Sequence, residues 1–188
     1  MADPHSVLKR HLESFALVRF VRPNLEAPGK HLIGVPVALG EQWVVMARMD
    51  DAIRLDGFDA LRLSDIAAVE TTFRRRSFYL RGLRMKRARI PMLSQLNLRT
   101  TRTLLEGVQR WYSLITLDKE AGSSAGCDVG KITRFATRTC TMRLITPGAD
   151  WVRAAHRVEY ADVTRIGFAG EYEETLAAVA GMPDPKWR

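Results

Sequence analysis

Two stretches of this chain repeat one another, and that repetition limits the possible folds more than any other feature. Gly34 and Gly130 each open a β-rich run, and Met46 and Met142 keep the same spacing. Further on, Leu63-Ser-Asp65-Ile66-Ala-Ala-Val69 is matched by Tyr160-Ala-Asp162-Val163-Thr-Arg-Ile166 with the spacing longer by one residue. The shared pattern is apolar, any, Asp, β-branched, two spacers, then β-branched. A chain built twice from one plan folds as two related units rather than as one large core. We place the first unit at residues 1–90 and the second at 91–188.

The order of expected elements is the same in both halves. Val7, Leu8, Leu12 and Phe15 recur at helical spacing after Ser6, a capping residue, and predict a short helix. Pro23 and Pro28-Gly29 mark a turn region. Leu32 to Met49 reads as a hairpin broken at Gly40-Glu41, with Trp43-Val44-Val45-Met46 on its second arm. Asp50-Asp51 and Asp56-Gly57 are turn chemistry. Leu61-Arg62-Leu63 and Ala67 to Thr72 read as two short strands broken at Ser64-Asp65. Arg74 to Lys86 reads as a helix with Phe78 and Leu83 inward, although an alternating strand also fits, and Pro91 ends it. Leu104, Leu105, Val108, Trp111 and Tyr112 form an apolar stripe on a helix. A strand (Ser113–Asp118), a Gly/Ser/Ala loop around Ser123-Ser124, and hairpin arms at Val129–Phe135 and Thr139–Ile145 follow. Pro147-Gly148 is a turn, and Arg157 to Phe168 resembles Ala60 to Thr72. Glu171 to Ala180 is a final helix, followed by a loose Pro183-Asp184-Pro185 tail.

The fold class expected from this order is mainly β with flanking helices (α+β). A helix followed by five strands resembles the Sm-like fold, a small bent-sheet barrel of SH3-like type. The resemblance implies two Sm-like/SH3-like small barrels in tandem. Sm-like proteins carry a glycine that opens the second strand, which Gly34 and Gly130 match. Their acidic and Asn positions, which help bind uridine-rich RNA, fall near Gly40 or Glu41 and on Val44 in the first unit. In the second unit they fall on Ala136 and Cys140. The resemblance therefore extends to the fold and not to the base-reading residues. Gly34, Gly130, Asp65 and Asp162 are assigned structural roles at bends, each aspartate accepting backbone N–H groups in its turn.

Hydrophobic residues make up 46% of the 188, enough for a core without metal or disulfide. Cys127 and Cys140 do not make a disulfide framework. No window is apolar enough to span a membrane, and the first ten residues lack a signal-peptide core. A soluble, cytoplasmic protein is expected. His5, His11, His31 and His156 are dispersed, with His156 in an expected loop and Cys140 in an expected core strand. No metal-ligand spacing, phosphate loop or nucleophile elbow occurs, and Gly167-Phe-Ala-Gly170 lacks the third glycine of a dinucleotide fingerprint. The acids Asp50, Asp51, Asp56 and Asp59 read as turn residues, and Glu171, Glu173 and Glu174 as first-turn acids favoured by the helix dipole. No catalytic residue and no cofactor is assigned.

Charge supplies the strongest functional signal. The net charge is +8, yet Thr71 to Trp111 alone carries eleven Arg and Lys against the single acid Glu106. That segment is +10 and the remainder −2. The candidate contact residues are Arg74, Arg75, Arg76, Arg81, Arg84, Lys86, Arg87 and Arg89. Three readings follow. The arginines engage a protein partner or a second copy, pairing with acidic loops of the same or another chain; they bind nucleic acid, RNA or single-stranded DNA, with Phe78, Tyr79, Trp111 and Tyr112 near enough to stack on bases; or they are only a solvated face, with those four rings in the core. A non-enzymatic interaction or regulatory module acting through proteins is the first expectation. Nucleic-acid binding is the alternative and a small hydrolase a distant third.

Overall fold

The computed structural model describes residues 3–12, 14, 16–25, 31–121 and 125–183. Phe15, Pro28-Gly29, Ser123-Ser124 and Asp184-Pro185 lie outside the described residues. The chain divides into two compact units, Met1–Leu93 and Ser94–Arg188. Both are mainly β, and each carries two helices among the described residues.

The first unit opens with α1 (Pro4–His11). Its start is one turn chemistry further back than Ser6: Asp3 is the cap, its Oδ2 accepting the Ser6 N–H at 3.0 Å, and Pro4 follows where a missing N–H costs nothing. Then come β1 (Val18–Val21), β2 (Leu32–Leu39), β3 (Trp43–Met49), β4 (Leu55–Arg62), a 3-10 turn (Leu63–Asp65), β5 (Ala68–Glu70) and α2 (Arg76–Met85). All pairings are antiparallel, in the order β5-β1-β2-β3-β4. Leu8 of α1 joins Val18, Phe20, Val44, Met46, Leu61 and Ile66 in one buried cluster. Burying each such side chain stabilises by about 1.5–3 kcal/mol before entropy is counted.

The second unit repeats this order: α3 (Thr101–Trp111), β6 (Ile115–Lys119), β7 (Gly126–Phe135), β8 (Thr139–Ile145), β9 (Trp151–Glu159), β10 (Arg165–Phe168) and α4 (Glu171–Ala180). Its pairing order, β10-β6-β7-β8-β9, is that of the first unit. Thr100 and Thr103 form a reciprocal cap at the start of α3, and Leu104, Leu105 and Val108 bury its apolar stripe. Leu176 of α4 packs with Leu114 and Ile145.

The agreement reaches single residues. The β2–β3 ladder slips between Pro36 and Ala38, and the β7–β8 ladder slips at the equivalent place, between Ile132 and Arg134. A side chain on Gly34 would put its Cβ 2.4 Å from the Ala47 carbonyl oxygen, and one on Gly130 would stand 2.1 Å from that of Arg143. Those carbonyls occupy equivalent positions, so glycine is required in both units by the close approach of the facing strand. The one extra residue of the second copy lies in β9. Arg143 faces Ala155 and Ile145 faces Trp151, whereas Ala47 faces Phe58 and Met49 faces Leu55.

The tandem-barrel expectation, and with it the Sm-like identification, is corrected by the strand pairing. In each unit the five strands form an open antiparallel sheet, and among the described residues no ladder joins β4 to β5 or β9 to β10. Closure requires a tilt and stagger shared by all strands. β5 is only three residues long, and all three pair with β1. Other differences are local. β4 begins at Leu55, so Asp56-Gly57 is not a free turn but lies within the strand beside its register shift, with Gly57 at φ 63°. β9 begins at Trp151 and places His156 in a strand rather than a loop.

Candidate functional site

The basic segment is organised by α2. Arg76 Nε donates to the Leu17 carbonyl at 3.1 Å, and Lys86 Nζ donates to the Ala52 carbonyl. Between them, Gly82 stands where a Cβ would lie 2.9 Å from Cγ2 of Ile53. The helix is thus fastened along Arg76, Tyr79, Leu80, Gly82 and Leu83, all partly buried. Two of the eight candidate residues, Arg76 and Lys86, spend donors on backbone carbonyls of the same unit. The other six, Arg74, Arg75, Arg81, Arg84, Arg87 and Arg89, are exposed, and none has a carboxylate partner among the described residues.

The acidic loop does not supply one. Asp50 accepts both the backbone N–H and Nε of Arg54, at 2.7 and 2.8 Å. Arg48 stands 3.6 Å from Asp56 and 3.4 Å from Asp59. These carboxylates are thus paired locally with Arg48 and Arg54.

Apolar side chains interleave with the arginines. Phe78 is 50% exposed, Met85 78% and Met92 92%. Phe78, Arg81 and Met85 are spaced three and four apart, so they share the outer face of α2. Phe78 therefore points outward, not inward as its spacing with Leu83 suggested, because the Gly82–Ile53 and Arg76–Leu17 contacts decide which side of the helix is buried.

The helix also works against its own electrostatics. Its first turn has no acid and no side-chain cap, and three arginines crowd the N-terminal end, where the dipole disfavours cations. Arg75 sits at φ 66°, Arg87 at φ 51° and Ile53 at φ 57°. Each is a left-handed conformation that L residues adopt at a cost. Two bracket the helix, and the third is the residue against which Gly82 packs.

The bend aspartates occupy equivalent turns but do not hold backbone N–H groups there. Among the described residues Asp65 accepts only the Ser64 hydroxyl, at 3.3 Å, and its buried Oδ2 has no partner. The Asp162 carboxylate is exposed and takes no hydrogen bond among the described residues. Their turns are closed by backbone bonds, Ile66 N–H to Leu63 O and Asp162 N–H to Glu159 O.

The groups most often used for covalent or acid–base chemistry are engaged or quiet. His156 Nε2 lies 3.1 Å from Asp128, which also holds Lys119 at 2.8 Å. Desolvation first, then the nearby Asp118 carboxylate, pushes the Cys127 thiol up to about 12. Burial pushes Cys140 up to about 11. Neither is a thiolate near neutral pH. No group of three His, Cys, Asp or Glu among the described residues is placed to hold a metal ion. No helix among the described residues is long and apolar enough to cross a membrane. Comparison with protein-family models, with curated proteins and with solved structures found no match.

Proposed function

We propose that the protein is a non-enzymatic interaction module that docks an acidic, apolar-bearing surface of a protein partner on α2 and the residues just beyond it. The observation that carries this reading is the outer face of α2, where arginines with no carboxylate partner among the described residues alternate with exposed Phe78 and Met85. Arg, Met and aromatic residues are the types enriched at protein interfaces, whereas Lys is depleted there. Among the eight candidate cations only Lys86 is a lysine, and it bonds the Ala52 carbonyl. Arginine suits bidentate pairing with carboxylates, and Phe78 and Met85 supply area that a phosphate backbone would leave unused.

Two labelled probes test this reading by fluorescence anisotropy at about 150 mM salt: an amphipathic Glu/Leu helical peptide and a mixed-sequence single-stranded oligonucleotide of equal charge. The peptide is expected to bind more tightly, and Phe78→Ser with Met85→Ser to weaken it about tenfold without changing the fold, the loss of roughly 1.4 kcal/mol of apolar contact. The uncompensated arginines favour nucleic acid as the second reading. Tighter binding of the oligonucleotide, with a log–log salt slope near −4 for about six contacts on single strands, would replace the first reading by the second.

A further inference from the structure

The last helix of each unit carries an exposed apolar pair at the same spacing. On α2 the pair is Phe78 and Met85. On α4 it is Tyr172, 50% exposed, and Val179, 71% exposed. Each pair is seven residues apart, about two helical turns or roughly 10.5 Å along the axis, so its members share one face. Thr175 and Ala178 continue the exposed strip of α4, whereas Glu173 and Leu176 turn inward. An apolar strip at this spacing is the seam of a helix pair, and both strips are open to solvent in the single chain.

The charges of the two helices are complementary. α2 contains arginines and no acid, and α4 contains three glutamates and no Lys or Arg. The α4 acids stand in its first turn, and Glu174 is exposed with no ion-pair partner among the described residues. Laid antiparallel on α2, the α4 helix would set Tyr172 on Met85 and Val179 on Phe78. Its acidic first turn would then meet Arg84 and the following Arg87. Its last turn, which holds no basic residue, would meet Arg74 and Arg75. The negative pole of a helix lies at that end and favours cations, so the arginines that α2 places against its own dipole would complement the dipole of α4.

We propose, on the reading of α2 as a protein-docking face, that its partner is a second molecule of this chain, bound through the outer face of α4. The two surfaces differ, so association is head-to-tail and every molecule carries one of each. Two ten-residue helices, each about 15 Å long, offer less than the standard interface of about 1,600 Å², and the association is weak and concentration-dependent.

Sedimentation velocity on the full chain tests this, from about 1 to 200 μM at about 150 mM salt. The wild type is expected to gain mass reversibly with concentration. Phe78→Ser with Met85→Ser is expected to stay monomeric, and so is Tyr172→Ser with Val179→Ser. Mixed together, these two variants should form a one-to-one complex and nothing larger, since each supplies the surface that the other lacks. Should a serine variant fail to fold, Glu174→Lys and Arg84→Glu alter charge alone, and each is expected to weaken association several-fold. A wild type that is monomeric throughout, a mixture that does not assemble, or association indifferent to the α4 substitutions would overturn the proposal. The Glu/Leu peptide separates its failure from that of the docking reading. A monomeric protein that binds the peptide on α2 loses only the self-partner, and one that does not bind it loses the docking face as well.

Discussion

The helix after the fifth strand is where the two units part company. α2 and α4 stand at equivalent places in the chain and are equally long, ten residues each. The sheets before them share strand order, ladder slips and a glycine that no larger residue can replace. The helices share almost nothing. α4 begins with Glu171, Glu173 and Glu174, as its dipole prefers, and buries Glu173 beside a cavity. α2 begins at Arg76 behind Arg74 and Arg75, against its dipole, and turns arginine, phenylalanine and methionine outward. The sheet is the plan that the two units share. The helices are where each copy has acquired its own chemistry, and the copy that sacrifices helix stability for charge is the better candidate for an interaction surface.

The sharpest way to break the equivalence of the two sheets is at their glycines. Gly34→Ala and Gly130→Ala each force a Cβ onto a facing backbone carbonyl, at 2.4 and 2.1 Å. Each is expected to cost about 3 kcal/mol, at the upper end of overpacking effects, because the obstacle is backbone and cannot swing aside. Urea unfolding of the two variants should give losses within a factor of two of each other. Tolerance at one glycine alone would mean that the two sheets are built differently after all.

The first helix of each unit offers a smaller contrast. Thr100→Ala removes the cap of α3 and is expected to cost about 1 kcal/mol at any pH, read from urea midpoints. Asp3 caps α1 instead, and the Ser6 backbone N–H, then the Ser6 hydroxyl, hold its carboxyl below the ordinary 3.8. A lowered pKa makes its contribution present above the unfolded value and lost as the pH falls through the folded one. Asp3→Asn should therefore flatten the acid side of the stability profile, whereas Thr100→Ala should shift it uniformly. Parallel profiles for the two variants would remove the charge from the α1 cap.

The smallest effects belong to the bend aspartates. Asp162→Ala should alter stability by less than about 0.5 kcal/mol, since its exposed carboxylate takes no bond among the described residues. Asp65→Ala should be neutral or stabilising, because it removes a buried oxygen without a partner. A loss above about 1 kcal/mol in thermal melts of either variant would return the two residues to a role as backbone acceptors.

How much of this was legible depended on the physics behind each feature. The repeat was visible because Gly34 and Gly130 satisfy a steric demand that leaves no choice of residue. Barrel closure was not, since it depends on which strand edges meet, and a three-residue β5 pairs on one side only. Asp56-Gly57 read as a turn because a bulge uses the same residues as a turn. The cluster of arginines was plain from composition, but the outward direction of Phe78 followed from Gly82 meeting Ile53, a contact between distant positions. Glu173 resembled its neighbours Glu171 and Glu174 in the sequence. Only its burial and its bond from the Thr116 hydroxyl set it apart.

The claim that α2 gives up stability for binding can be measured in one pair of experiments on Arg74→Glu with Arg75→Asp. Both positions are exposed, neither has a carboxylate partner among the described residues, and Asp tolerates the left-handed backbone of Arg75. Acids there would agree with the dipole and should stabilise by about 0.3–1 kcal/mol each at low salt. The prediction is that the unfolding midpoint holds or rises while affinity for the Glu/Leu peptide falls about tenfold or more. A variant that is no less stable and binds the peptide as tightly as before would contradict the assignment of this face to partner binding.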